Sequence, residues 1–250
     1  MVGTNATAGK TSPSFFACGA LLAAGLIAAC GDTEQTQVKG LKEQVQVAYG
    51  NKDFTKALAL AEKGLPMARK IEGDRGADTL YFAQALTENY VMMHNPRGAM
   101  AALKQEIQMR LAAGQSEKKV QQRRTLLIQI AEENGDKMTA ADQALAVARG
   151  IEMGPGKDPQ PVYRTQTAYP PDQYRARTEG DVQIGYSIDS TGAVTEAHVI
   201  KSTPAQVFDQ AAIESFRRWR FTPMLDKTGG PVAASNLTFT LAFRLGRNGG

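Results

Sequence analysis

Cysteine is nearly absent from this 250-residue chain, and its two copies, Cys18 and Cys30, both fall within the first thirty positions. Everything after Cys30 lacks a thiol, which excludes disulfide staples from whatever folds there. Histidine is as scarce: His94 and His198 stand about a hundred residues apart, and no metal-ligand spacing, nucleophile elbow or acid–base pair accompanies either. Nothing therefore argues for an enzyme, a metal or a cofactor. A strong excess of one charge is also missing. The net charge of +4 gathers into no basic stripe, which argues against nucleic acid as a partner. Gly9-Lys10-Thr11-Ser12 echoes the end of a phosphate-binding loop, but five residues separate it from the preceding Gly3 where that loop allows four. With 42% hydrophobic and 22% charged residues, the composition is that of a soluble globular protein of one large or two modest domains.

Long hydrophobic runs are limited to one, Phe15 to Cys30, sixteen residues without a charge. As a helix it would rise about 24 Å, short of the roughly 30 Å hydrocarbon core, so a targeting segment fits better than a spanning one. Its end, Leu26-Ile27-Ala28-Ala29-Cys30, resembles a bacterial lipobox, which implies lipidation of Cys30 and membrane attachment. Residues 1–30 are thus expected to be a signal with a lipobox, the alternative being a short uncleaved membrane anchor.

Residues 36–151 carry almost no strand signal and are rich in strong helix formers. Breaks near Gly50-Asn51, Gly73-Asp74, Asn95-Pro96, Ala113-Gly114 and Asn134-Gly135 predict about six helices with short connections, Pro66 being able to kink or end the second. Ala57, Ala99 and Ala141 stand 42 residues apart, each near the start of the second helix of a pair. That pattern resembles longer tetratricopeptide repeats, with an irregular helical bundle as the plainer reading. The resemblance implies a groove for a second protein or peptide partner, which Met92, Met93, Met100 and Met109 could line, although methionines at helical spacing are more often core. Lys118-Lys119 with Arg123-Arg124 reads as a solvated helix face.

A Gly/Pro-rich stretch, with residues 152–161 as linker, leads to a different pattern over residues 162–246. Val182, Ile184, Tyr186 and Ile188 alternate as a half-buried strand, Asp189-Ser190-Thr191-Gly192 supplies turn chemistry, and a return strand with a bulge follows from Val194 to about Ser202. Thr203-Pro204, with Gln206 in capping-box position, is expected to open a helix. Phe208, Ala211, Ala212, Phe216 and Trp219 would form its apolar stripe, and Arg217, Arg218 and Arg220 would flank its C-terminal end. Leu237, Phe239, Leu241, Phe243 and Leu245 alternate as a last strand. The fold class expected is multidomain: an all-α helical-repeat domain, then a small α+β domain in ββαβ order, a three-stranded antiparallel sheet with one helix.

Within this part, Arg164-Thr-Gln166-Thr-Ala-Tyr169-Pro170, Glu179-Gly180-Asp-Val182, Gly192-Ala-Val194, Pro204-Ala-Gln-Val-Phe208 and Arg217-Arg-Trp-Arg-Phe-Thr-Pro223 resemble the C-terminal domain of the TonB family. The resemblance implies a periplasm-facing protein of a Gram-negative cell envelope that grips an extended segment of a TonB-dependent outer-membrane receptor, or a similar envelope protein, by strand addition. It carries Gln166, Tyr169 and Pro170 over as a contact segment, and Asn236, Leu237, Thr238, Phe239, Thr240, Leu241 and Phe243 as the pairing edge. The family's long Pro-rich rod has no counterpart here, nor does the histidine of its membrane helix. Two alternatives stand beside the adaptor reading: a single-pass inner-membrane energy transducer, and a structural envelope protein that only forms a homodimer through its sheet.

Overall fold

A computed structural model describes residues 19–150 and 156–245, with the backbone alone for residues 19–32 and Lys118. Residues 1–18, the linker positions 151–155 and the Cys30 side chain lie outside the described residues. Six helices come first: α1 (Gly19–Gly50), α2 (Phe54–Glu72), α3 (Ala77–Met92), α4 (Pro96–Ala112), α5 (Glu117–Glu133) and α6 (Lys137–Gly150). None of the described helices is long and apolar enough to cross a membrane. α2 runs through Pro66 without ending.

The helices pair in sequence order, and the second member of each pair is capped by a short acceptor side chain. Asp53 accepts from the Lys56 amide at 3.1 Å, Asn95 from Gly98 at 2.9 Å and Asp136 from Thr139 at 3.0 Å. Each cap satisfies one of the amides a helix start leaves without a partner. The third cap falls one position earlier than a 42-residue period demands. Accordingly the buried counterpart of Ala57 and Ala99 is Ala140, not Ala141, and Ala144 takes the place of Ala61 and Leu103. Small residues allow the close approach: a methyl at Gly64 would lie 2.2 Å from the Phe82 ring.

One reading of this region is overturned. Arg123 and Arg124 do not form a solvated face. Arg123 reaches the fully buried Glu106 at 2.6 Å, and Arg124 pairs with Glu117 at 3.2 Å and Gln143 at 2.9 Å. Glu106 also holds Arg110 at 2.7 Å and accepts from Thr87 at 2.9 Å, which ties α3, α4 and α5 into one polar network. A carboxylate buried this deeply requires such partners.

After the helices come β1 (Pro161–Tyr163), α7 (Pro171–Arg175), β2 (Gly180–Ile188), β3 (Val194–Thr203), α8 (Asp209–Phe216), β4 (Arg220–Phe221), β5 (Met224–Leu225), β6 (Pro231–Val232) and β7 (Ala234–Phe243). The principal sheet is antiparallel in the order β3-β2-β7, with β1-β4 and β5-β6 as small ribbons. Its inner face (Val182, Ile184, Tyr186, Ile188) packs with Phe208, Ala212 and Phe216 around α8. The helix starts at Asp209 rather than Pro204, because Thr203 is still paired with Asp181 in the sheet. Trp219 therefore lies beyond the helix, buried in the core, and Arg220 belongs to β4 instead of complementing the helix dipole.

The two parts touch. Val162 and Tyr163 of β1 pack on a cluster of Ile128, Ala131, Ala140, Ala144 and Val147 from α5 and α6. The buried Arg220 guanidinium pairs with Glu132 of α5, and Arg149 of α6 donates to the Gly229 carbonyl at 3.3 Å.

Candidate functional site

A three-stranded sheet exposes two edges, and unpaired strand edges invite another chain unless something blunts them. The β3 edge is blunted. It carries Glu196 and Lys201, and its pairing with β2 slips twice, at Gln183/Ile184 and at Ser187/Ile188, leaving Ile200 and Thr195 as extra residues in the ladder. The β7 edge is not. No charged residue occurs between Ala234 and Phe243, and Leu237 to Phe243 pair one for one with Tyr186 to Gly180. The single irregularity of β7 lies at its start, where Asn236 takes a positive φ of 56° and bends the strand. Asn236 therefore marks where the regular edge begins. Leu237, Phe239, Leu241 and Phe243 turn toward the core while Thr238, Thr240 and Ala242 are exposed.

Residues 164–169 run extended beside this edge. Thr165 and Thr167 point at α8, donating to the Ser215 carbonyl at 3.0 Å and to its hydroxyl at 2.9 Å. By alternation Arg164, Gln166 and Ala168 are exposed. Gln166 makes no side-chain hydrogen bond among the described residues. The segment tracks β7: the Arg164 guanidinium lies 5.5 Å from the Phe239 ring, and Tyr169 lies 5.7 Å from Phe243. Tyr169 also packs edge-on against Phe208 at 5.5 Å and donates its hydroxyl to the Thr178 carbonyl. Pro170 precedes α7 as its N-cap residue.

The structure thus brings Tyr169, Phe239 and Phe243 together, with Gln166 on the solvent side of the same extended segment. Tyr169 is an anchor of that segment more than a free contact. Arg164 stands at the same place, 5.0 Å from the Trp219 ring, and its motif position alone gave it no role. A legible signal existed: it is the one cation ahead of Gln166 in a stretch otherwise built of Thr and Ala.

The hairpin behind the sheet is held electrostatically. Burial pushes the Asp189 carboxyl up, but hydrogen bonds from the Thr191 hydroxyl and amide and the Ala193 amide, with Arg220 nearby, outweigh this and hold it below its ordinary value. Burial, with a smaller contribution from Asp158, raises the Tyr186 phenol to about 12, so it stays neutral. No group of His, Cys, Asp and Glu side chains that could hold a metal occurs among the described residues. His94 and His198 are both exposed. The four methionines line no common groove. Met92 and Met93 are exposed at the end of α3, Met109 is buried against α1–α3, and Met100 packs toward α5 and α6.

Residues 165–245 match the family model described as Gram-negative bacterial TonB protein C-terminal. This part of the chain is a TonB C-terminal domain. Known proteins similar to it include the Protein TonB of Yersinia enterocolitica, 28% identical over 39% of this chain and 34% of that protein. Protein TonB of Klebsiella pneumoniae is 27% identical over 43% and 41%, and that of Xanthomonas campestris pv. campestris strain B100 is 32% identical over 31% and 34%. The chain matches only about a third to two fifths of the length of these relatives. The similarity to the TonB domain covers β2, β3, α8 and β7 together, so the sheet edge described above belongs to the matched region.

Proposed function

We propose that this chain is a membrane-attached adaptor facing the periplasm, and that its β7 edge grips an extended segment of an outer-membrane receptor or another envelope protein by strand addition. The observation that carries the reading is the asymmetry of the sheet. One edge is broken by charges and bulges; the other is regular, uncharged and flanked by an extended segment bearing Arg164 and Gln166. Main-chain hydrogen bonds along Leu237–Phe243 would supply affinity, and side chains of Gln166, Thr238 and Thr240 would supply selectivity. The division into an anchor (1–30), a helical body (36–151), a linker (152–161) and a gripping domain (162–246) belongs to the same proposal.

Lipidation of Cys30 fits this arrangement. α1 is continuous through Cys30, and Val38, the first buried residue among the described side chains of this helix, follows eight positions later, about 12 Å of helix. An acyl chain at Cys30 would therefore hold the helical body close against its membrane. The docking of β1 and Arg220 on α5 and α6 would hold the grip against that body instead of on a long rod. Mass spectrometry of the mature N-terminus tests the anchor: acylated Cys30 supports it and an intact Met1 overturns it.

The grip is tested by hydrogen exchange on the full chain, with a blocked heptapeptide of alternating Val and Thr as probe. Along β7 the amides of one parity bond to β2 and those of the other face out. The outward set should gain protection when the peptide is added, and Thr238→Pro and Thr240→Pro should alter that binding together, since they share a parity. Unchanged exchange along β7 would overturn the strand-addition reading. Protection that rises with protein concentration alone would assign the edge to a homodimer instead.

A further inference from the structure

We infer that the cavity between α1 and α3 is a receptor for an arginine side chain presented by a partner protein, a site separate from the β7 edge. The cavity encloses about 330 Å³ and is walled by Gln46 and Tyr49 of α1 and by Tyr81, Gln84, Glu88 and Asn89 of α3. Its lining is unbalanced in a specific way. Asn89 is fully buried; its amide nitrogen donates to the Ala85 carbonyl at 2.8 Å, but its Oδ1 has no donor. Glu88 accepts one hydrogen bond, from Gln84 at 2.7 Å, and has no ion-pair partner among the described residues. The buried Asn89 oxygen without a donor costs free energy comparable to a lost hydrogen bond, and the half-buried Glu88 carboxylate has room for more than its one donor, so an occupant that brings donors is favoured.

The resident cations do not supply them. Lys42 is committed to Asp78, and Arg110 to Glu106 and to the side-chain Oε1 of Gln84 at 2.7 Å. Lys42 nevertheless sits 5.1 Å over the Tyr81 ring, so this wall already accepts positive charge on an aromatic face. What fits is a flat cation with several donors: it can stack on a tyrosine, bond the Glu88 carboxylate and meet the Asn89 oxygen once that amide, buried as it stands, turns toward the cavity. A guanidinium meets all three requirements, whereas an ammonium, a compact point charge, has no planar face to stack. The side chain of arginine is also within the size of the cavity, and the open mouth leaves its backbone on the partner.

The test uses the full chain labelled with nitrogen-15 and a blocked Gly-Arg-Gly tripeptide. Saturable shifts of the Asn89 and Gln84 side-chain amides are expected, with at least tenfold weaker binding in Glu88→Gln. The citrulline tripeptide, of the same shape without the charge, should shift neither signal. Thr240→Pro, a change in β7 and not in α1 or α3, should leave arginine binding unchanged, so failure of either site is told apart from failure of the other. Absence of a saturable shift, equal binding of the citrulline or lysine tripeptide, or unchanged affinity in Glu88→Gln would overturn the inference.

Discussion

Arg220 and Glu132, 88 positions apart in the chain, form an ion pair in which both side chains are almost wholly buried. Arg220 also donates to the Thr191 carbonyl at 2.7 Å, so one guanidinium joins α5, β4 and the β2–β3 turn. Removing a single partner strands a buried charge, which costs about 3–5 kcal/mol. Glu132→Ala should therefore lower the denaturant midpoint of the full chain and speed proteolysis at 156–160, where the two parts join. Replacing both residues with apolar ones of similar size (Glu132→Leu with Arg220→Met) should recover most of the loss, because the desolvation cost disappears with the pair. If the single variant unfolds at the wild-type midpoint, the contact carries no weight in holding the parts together.

Tyr169 was expected as a contact for a partner, and its surroundings make a structural demand as well. The ring meets Phe208, Phe243 and Tyr174, and the hydroxyl donates to the Thr178 carbonyl. The ring is only partly buried, so truncation to alanine should cost about 2–3 kcal/mol, below the range for fully buried aromatics. Tyr169→Phe should cost about 1 kcal/mol, the net value of one hydrogen bond. Denaturation curves of the two variants separate the roles: a mild alanine variant with lost peptide binding would restore Tyr169 as a contact residue alone.

The parts of this fold that were legible are those written in local pattern. Alternation from Val182 to Ile188 and from Leu237 to Phe243 identified the strands, and the Gly and Asn breaks separated the six helices. What stayed hidden depends on residues distant in sequence. Nothing near Arg220 announces Glu132, so the charge was assigned to the nearest helix end. The capping-box match at Thr203 was sound chemistry overridden by sheet pairing with Asp181. The one-residue slip at Ala140 arose because the cap Asp136, and not the alanine spacing, sets the register of α6. At the site, motif resemblance pointed to Gln166 and the last strand, while Arg164 emerged only from its ring contacts.

Gly192 closes the β2–β3 turn at a φ of 79°, and its own carbonyl accepts the Phe221 amide at 2.9 Å. A side chain here meets two obstacles: the left-handed backbone, and the Phe221 carbonyl oxygen 1.9 Å from where a Cβ would sit. That neighbour is backbone and cannot rotate away. Gly192→Ala should destabilise the domain by more than the roughly 1 kcal/mol of conformational strain alone, read as a lowered midpoint in thermal unfolding. An unchanged midpoint would mean that the turn is not formed as described.

The same turn gives a pH dependence. Asp189 accepts from the Thr191 amide at 2.8 Å and hydroxyl at 2.6 Å, and from the Ala193 amide at 3.1 Å. Its folded pKa lies below the ordinary 3.8, the hydrogen bonds outweighing the burial. A depressed carboxyl contributes stability that is complete above the unfolded value and is lost as pH falls through the folded one. Asp136 and Asp226 are lowered as well, so the parent curve alone would mix three groups. The difference between the parent and Asp189→Asn isolates one. It should be constant near neutrality and shrink as the pH drops below 3.8. A difference that stays flat through that range would show that the charge on Asp189 does not stabilise the turn.

Arg164 is exposed, lies 5.0 Å from the Trp219 ring and 5.5 Å from the Phe239 ring, and has no carboxylate partner among the described residues. A cation held by aromatic faces beside an open strand edge should favour an acidic residue in whatever strand is added there, and its attraction should weaken with salt. Arg164→Ala should leave the unfolding midpoint within about 1 kcal/mol of the parent, since exposed cation–π contacts contribute little more. Binding of an extended peptide carrying an aspartate should fall in this variant, while binding of the same peptide with asparagine should not. Lysine at 164 should recover only part of the preference, because an ammonium cannot lie flat on Trp219 as a guanidinium does. Equal discrimination between the two peptides in parent and variant would separate Arg164 from recognition and leave it a cover for the tryptophan.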